Sequence, residues 1–257
     1  MIHIGTSGFS YKSWVNVVYP QDLPSRQRLS FYAQMFDTVE INFSYYSIPS
    51  ASSLLSMADR TPSDFLFTIK AHQDMTHNRA DNATAFRRYC AALEPWIERD
   101  KLGCVLAQFP NSFRNTPDNR DYLRTFRERM GEIPTIIEFR HSDWIDEETF
   151  ALLRELNLGY CCVDEPRLPT LVHRVYAATS DVTYVRFHGR NAEKWWHHDE
   201  AWERYNYSYT EDELRPWIPK IEYLAEHSDR TFVFANNHWQ GQAVDTARQL
   251  QMLLTKD

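Results

Sequence analysis

Three acids, three cations and one histidine stand where chemistry could use them. Glu40, Glu138, Asp164, Lys70, Arg140, Arg186 and His188 each lie near the end of a short apolar run. The stretch YVRFHGR at 184–190 shows the pattern. Side chains alternate across a strand, so Tyr184, Arg186 and His188 share one face, and Val185 and Phe187 share the other. The same rule groups Thr38, Glu40 and Asn42, and it groups Thr68 with Lys70. It also groups Ile136, Glu138 and Arg140, then Cys162 with Asp164, and Phe232, Phe234, Asn236 and His238. Gln108 ends a further run, and Thr6 and Ser7 end the first. Cations set beside acids suit an Arg/Lys clamp on a phosphate or carboxylate, with a carboxylate kept for proton transfer. In that reading Arg140, Arg186 and Lys70 hold an anion. Glu138 or Glu40 is a general base, with Asp164 on the same inward face. His188 is a general acid or electrophile. Asn236, Asn237 and Gln108 would orient a ligand's hydroxyls, and Asn42 and His238 are further substrate-binding candidates.

These residues need a scaffold that brings eight strand ends together. Eight segments have strand character: 2–7, 38–42, 65–70, 103–109, 135–140, 160–165, 183–189 and 231–237. Helix-like stretches cover 25–36, 50–60, 81–98, 116–130, 146–157, 210–227 and 241–254. Ser25, Thr116 with Pro117, Asp146, and the Thr210/Glu213 pair are their start signals, and Pro95 should kink or restart the third. Read as eight strand–helix units, the chain calls for an α/β fold, a single (β/α)8 TIM barrel over residues 1–257. An open doubly wound sheet is the alternative, but GTSGF at 5–9 lacks the G-x-G-x-x-G spacing of its phosphate turn. In a barrel the inward faces converge, and reactive groups gather at the C-terminal strand ends.

The loops after the strands are aromatic: FSYKSW ending at Trp14, FSYYSIP, HSDW ending at Trp144, the long insertion 190–209, and NNHWQG. At a barrel mouth Trp14 and Trp144 would stack on sugar faces or bases, and the insertion reads as a lid. A divalent metal is a second reading, with Glu138, Asp164, His188 and either Glu40 or His238 as ligands, although no H-x-H or H-E-x-x-H spacing supports it. No cofactor is predicted beyond that ion. Lys70 could form a Schiff base, but pairing with Glu40 or Glu138 is the expected state. His72 and His77 read as rim residues, and His197 and His198 as a surface loop.

The segments GTSGFSYKSW, TVEINFSYYSIP, FTIKAHQDMTH, LAQFPNSF, IEFRHSDW, YVRFHGR and FVFANNHWQGQAVDTARQL span nearly the whole chain in order. In these segments the sequence resembles the domain of unknown function 72 family, the YecE-like proteins. The resemblance implies a TIM barrel and supplies no reaction. Glu40, Asn42, Lys70, Thr76, His77, Glu138, Arg140, Arg186, His188, Gly189 and Asn237 fall on the family's motifs. Phe9 stands where Trp is common there, and Ser47 where Arg is common.

Composition narrows the function. The chain is 43% hydrophobic and 25% charged, as soluble domains are. No apolar run is long enough for a bilayer, and the N-terminus does not read as a signal peptide. The four cysteines lie in apolar surroundings without a C-x-x-C pair, which points to free thiols and a cytoplasmic protein. A formal net charge of −7 disfavours bulk nucleic-acid binding. The reading that results is an enzyme, a hydrolase, isomerase or lyase, on a small anionic sugar-like or nucleotide ligand, with no membrane or protein partner. The alternatives are a metal-dependent phosphodiesterase acting on nucleic acid and a barrel that binds its ligand without turning it over.

Overall fold

The computed structural model describes residues 1–255. Eight strands form one parallel sheet: β1 (Ile2–Thr6), β2 (Thr38–Ile41), β3 (Leu66–Lys70), β4 (Leu102–Gln108), β5 (Thr135–Glu138), β6 (Gly159–Asp164), β7 (Val182–Phe187) and β8 (Arg230–Ala235). All eight expected strands are present, each within two residues of its predicted bounds. Their order, β1-β8-β7-β6-β5-β4-β3-β2, runs once around a barrel. The helices outside it are α1 (Arg28–Tyr32), α2 (Ala51–Ala58), α3 (Ala83–Ile97), α4 (Pro117–Met130), α5 (Glu147–Glu155), α6 (Glu211–Leu214), α7 (Ile218–Glu226) and α8 (Gln242–Leu254).

The seam between β1 and β2 is where the barrel is nearly, not fully, closed. Only Ser7 and Glu40 make a bridge there, and Gly8 N donates to Glu40 O at 2.8 Å. Lower down, the Tyr32 hydroxyl is wedged between the strands. It accepts from Thr6 N at 2.9 Å and donates to Thr38 O at 3.1 Å. Gly5 faces this seam, and a Cβ there would collide with the Thr38 carbonyl oxygen.

Sequence signals for the helix starts hold at three places. Thr116 caps α4 with Pro117 at its first position, Asp146 caps α5, and Thr210 and Glu213 form a capping box. Others differ. Ser25 opens a 3-10 turn rather than capping α1, and α3 runs through Pro95. The helix expected over 210–227 is divided by a 3-10 turn, Arg215–Trp217, whose Pro216 lacks an N–H. The sixth unit has no helix: residues 165–181 run as a loop, with Pro166 and Pro169 among them.

Outward side chains of the strands pack on the helix layer. Phe67 stacks on Trp96 at 4.3 Å, Phe139 on Trp144 at 4.3 Å, and Phe187 meets Trp217 edge-on at 5.3 Å. Inward, Tyr184, Phe232 and Phe234 form an aromatic floor beneath the mouth. Among the described residues no helix is long and apolar enough to cross a membrane.

Candidate functional site at the barrel mouth

Arg186 stands at the centre of the mouth because β7 places it one pleat above Tyr184 on the inward face. Its two terminal nitrogens bridge two buried carboxylates: Nη1 donates to Glu138 Oε2 at 2.6 Å, and Nη2 to Glu40 Oε1 at 2.7 Å. Glu40 is held further by Asn42 Nδ2 at 2.9 Å and by the Tyr184 hydroxyl at 2.8 Å, which also meets Thr68 Oγ1 at 2.9 Å. Burial favours the neutral acid in Glu138, but Arg140, Arg186 and His188 overcome it and hold the carboxyl well below its usual range. Burial likewise opposes the Arg186 charge, and Glu138 and Glu40 overcome that, raising its pKa well above normal.

The second oxygen of Glu138 faces two more groups. Arg140 Nε lies 2.7 Å from Oε1, and His188 Nε2 lies 3.1 Å from it. Asn236 Nδ2 donates to His188 Nδ1 at 2.9 Å, which assigns the proton to Nε2. The imidazole is neutral: burial, then Arg140 and Arg186, pull its pKa down to about 3 against the attraction of Glu138. His188 therefore presents a fixed N–H, not an imidazolium.

Lys70 does not pair with Glu40 or Glu138 as expected. Its Nζ donates to the amide oxygen of Gln108 at 2.8 Å and lies 4.7 Å from the centre of the Tyr45 ring. Burial, followed by repulsion from Arg186, lowers the amine to about 8. His77 stands nearby on a π-helical turn, Asp74–Asn78, with Nδ1 at 2.9 Å from Thr76 Oγ1. Burial and then Lys70, Arg79 and Arg140 lower it to about 4.

On β6 the inward face is not the expected one. Ile136 pairs with Gly159, and Arg186 with Val163, so Cys161 and Val163 point inward and Cys162 and Asp164 outward. Asp164 is thus removed from the mouth. Its carboxylate meets Arg190 at 2.7 and 2.8 Å, Arg174 at 3.2 Å, Tyr209 at 2.9 Å and Trp217 at 2.7 Å. Glu165, which sequence reasoning missed, takes the inward place. Its Oε1 accepts from Val172 N at 3.1 Å, while Oε2 has no hydrogen-bond donor and lies 3.6 Å from Arg140 Nη1. Burial raises it to about 7 against the pull of Arg140. Before its terminal acids β6 is apolar on both faces, so alternation had nothing to choose between, and the pairing with β5 and β7 sets which acid points in.

Other expected contacts fall elsewhere. Trp14 and Trp144 are fully buried and offer no face to a ligand. Trp14 Nε1 donates to His238 O, and Trp144 Nε1 to Phe113 O. Asn237 points outward and donates to Tyr207 O and Thr246 Oγ1. His238 remains at the rim, stacked on Tyr11 at 4.3 Å, and burial lowers it to about 4. The 190–209 insertion folds over the mouth: Trp195 is buried and approaches His188 edge-on at 6.4 Å, and Trp202 stacks on Trp239 at 3.7 Å. The proposed metal ligands are not brought together as a set: Glu138 and His188 meet, but Asp164 lies on the other face of β6. Among the described residues no group of three or more His, Cys, Asp and Glu is placed to hold an ion. The described cysteines are free, and Cys104, Cys161 and Cys162 are buried.

Fold and mouth together define a parallel α/β barrel with a buried ionic network at its C-terminal end. The model of the family described as "Protein of unknown function DUF72" matches residues 3–257, and the chain belongs to that family. It is 32% identical to the UPF0759 protein YunF of Bacillus subtilis (strain 168), covering 99% of this chain and 95% of that one. Among solved structures, the DUF72 family protein TM1631 of Thermotoga maritima MSB8 is 38% identical, with a TM-score of 0.92 over 100% of both chains. The DUF72 family protein EF0366 of Enterococcus faecalis V583 is 25% identical, with a TM-score of 0.89 over 100% of this chain and 96% of that one.

Proposed function

We propose that this protein is an enzyme that binds a small anionic substrate, phosphorylated or carboxylated, at the barrel mouth and acts on it by acid–base chemistry. One observation carries the reading: Lys70 is a half-buried cation at the end of β3 whose hydrogen-bond partner is a neutral amide, with no carboxylate within 4.0 Å among the described residues. Its ammonium has no carboxylate in direct contact, and an incoming anion would supply a counter-ion through a charge-assisted hydrogen bond. Lys70 and Arg140 are the anion-holding groups. Arg186 spends both terminal nitrogens on Glu40 and Glu138, so its task is to fix those carboxylates. Glu138 orients the Nε2–H of His188, and Glu165, raised by burial to about 7, has an oxygen with no donor. These supply a hydrogen-bond donor and a proton source.

Calorimetric titration with inorganic phosphate and with small carboxylates tests this. Binding should weaken about tenfold or more in Lys70→Gln, the loss of one charge-assisted bond. Equal affinity in wild type and variant would remove the anion-binding reading.

A further inference from the structure

We propose that Lys70 forms an imine with its substrate, so the site takes a small aldehyde or ketone that also carries a phosphate or carboxylate. The inference rests on the anion-binding reading above for the charged end of that substrate, which Arg140 would hold.

A contrast between two lysines, one buried and one half-buried at the mouth, points to it. Lys101 lies at the opposite end of the barrel and spends its ammonium on Thr61 Oγ1 at 3.1 Å, the Thr61 carbonyl at 3.5 Å and the Pro62 carbonyl. Lys70 has the single bond to Gln108 Oε1 and the face of Tyr45. The buried Lys101 spends its ammonium on three oxygens, whereas the half-buried Lys70 bonds one. The groups facing it are Arg186 and Arg140, which disfavour its charge, Glu138 and Glu40, which favour it, and a neutral His77. Their balance, with burial, brings the amine to about 8, so an appreciable fraction is unprotonated near neutral pH. Buried lysines beside other cations are activated as nucleophiles in this way.

The step balances without a further reagent. The lone pair of neutral Nζ attacks the carbonyl carbon, the C–N bond forms, and the carbonyl π pair moves to oxygen, which takes one proton. Nζ passes one of its own protons to that oxygen as the C–O bond breaks. Water leaves, and the nitrogen lone pair closes the C=N bond of a protonated imine. Glu165 in its acid form and neutral His77 are the groups near the mouth that could relay these protons.

The chain has only six lysines, which makes the test direct. Full-length protein is incubated with glyoxylate, pyruvate or D-glyceraldehyde 3-phosphate, with glyceraldehyde as the uncharged control. Cyanoborohydride then reduces any imine, and peptide mass mapping locates it. Lys70 should carry about tenfold or more of the adduct found at Lys12, Lys194 or Lys220 with at least one charged probe, as expected of a lowered amine pKa. The glyceraldehyde adduct should be weaker. Lys70→Arg, which removes the primary amine, should abolish the adduct at that position. Adduct spread evenly over the exposed lysines, or absent from Lys70 with all charged probes, overturns the imine; phosphate binding that persists in calorimetry then leaves the anion-binding reading standing. Equal labelling of Lys70 by glyceraldehyde and its phosphate keeps the imine and removes the anionic group from the substrate class.

Discussion

Asp164 and Glu165 are neighbours in the chain and opposites in the fold. Asp164 faces the helix layer and is saturated by Arg190, Arg174, Tyr209 and Trp217, so it fastens the β6–β7 end to the segment before α7. Glu165 faces the mouth with one backbone donor on Oε1 and none on Oε2. The same division separates Lys101, whose ammonium meets three oxygens, from Lys70, whose ammonium bonds the single oxygen of Gln108. Saturated groups hold the barrel together. Undersatisfied ones have capacity left for a ligand, at a cost in stability that the rest of the fold offsets.

The largest expected effect tests the saturated side. Asp164→Asn leaves Arg190 and Arg174 without their shared charge, and breaking a buried pair of this kind costs about 3–5 kcal/mol. Urea unfolding should register that loss; a change below about 1 kcal/mol, the size of an exposed pair, would show that Asp164 is not a fastening point. Next, Lys101→Met should cost about 1 kcal/mol by removing the hydrogen bonds to Thr61 and to the Pro62 carbonyl. Lys70→Met should cost less in the same thermal melts, and the reverse order would break the contrast between the two lysines.

A third effect is a slope. His188 has its proton affinity lowered from 6.5 to about 3, so between those values the unfolded chain binds a proton that the fold does not, and stability falls as pH falls. Glu165 is raised from 4.5 to about 7, so there the fold binds the extra proton, and stability falls as pH rises. The two contributions oppose each other from 4.5 to 6.5. Glu165→Gln should expose the His188 contribution as a steeper rise, by about 1.4 kcal/mol per pH unit, in unfolding measured across that window. An unchanged slope would mean that Glu165 is ionised throughout. The smallest effect is Glu165→Gln itself at pH 7.5: the amide keeps an acceptor for Val172 N, and stability should move by less than about 1 kcal/mol. A larger loss would place Glu165 among the fastening groups.

Much of this was legible in the chain. Strand-forming runs, caps at Thr116, Asp146 and Thr210, and the rhythm of the units determined a parallel barrel, because local propensity and periodicity act over a few residues. Alternation also placed Glu40, Lys70, Gln108, Glu138, Arg186, His188 and Asn236 on inward faces, because each strand's polar residues fall on one side. The roles within the mouth were not legible. That Arg186 takes both Glu40 and Glu138, while Lys70 takes neither, follows from distances across the barrel, between residues up to 146 positions apart. The choice between Asp164 and Glu165 also lay beyond the sequence. Adjacent acids on a strand apolar on both faces carry no signal for which one points in, and only pairing of β6 with β5 and β7 decides it. The aromatic loop residues divided for a related reason: Trp14 and Trp144 read as a ligand's stacking partners, but the loops and helix layer bury them completely. Sequence determined which groups reach the mouth, and tertiary structure decided which of them are already spent.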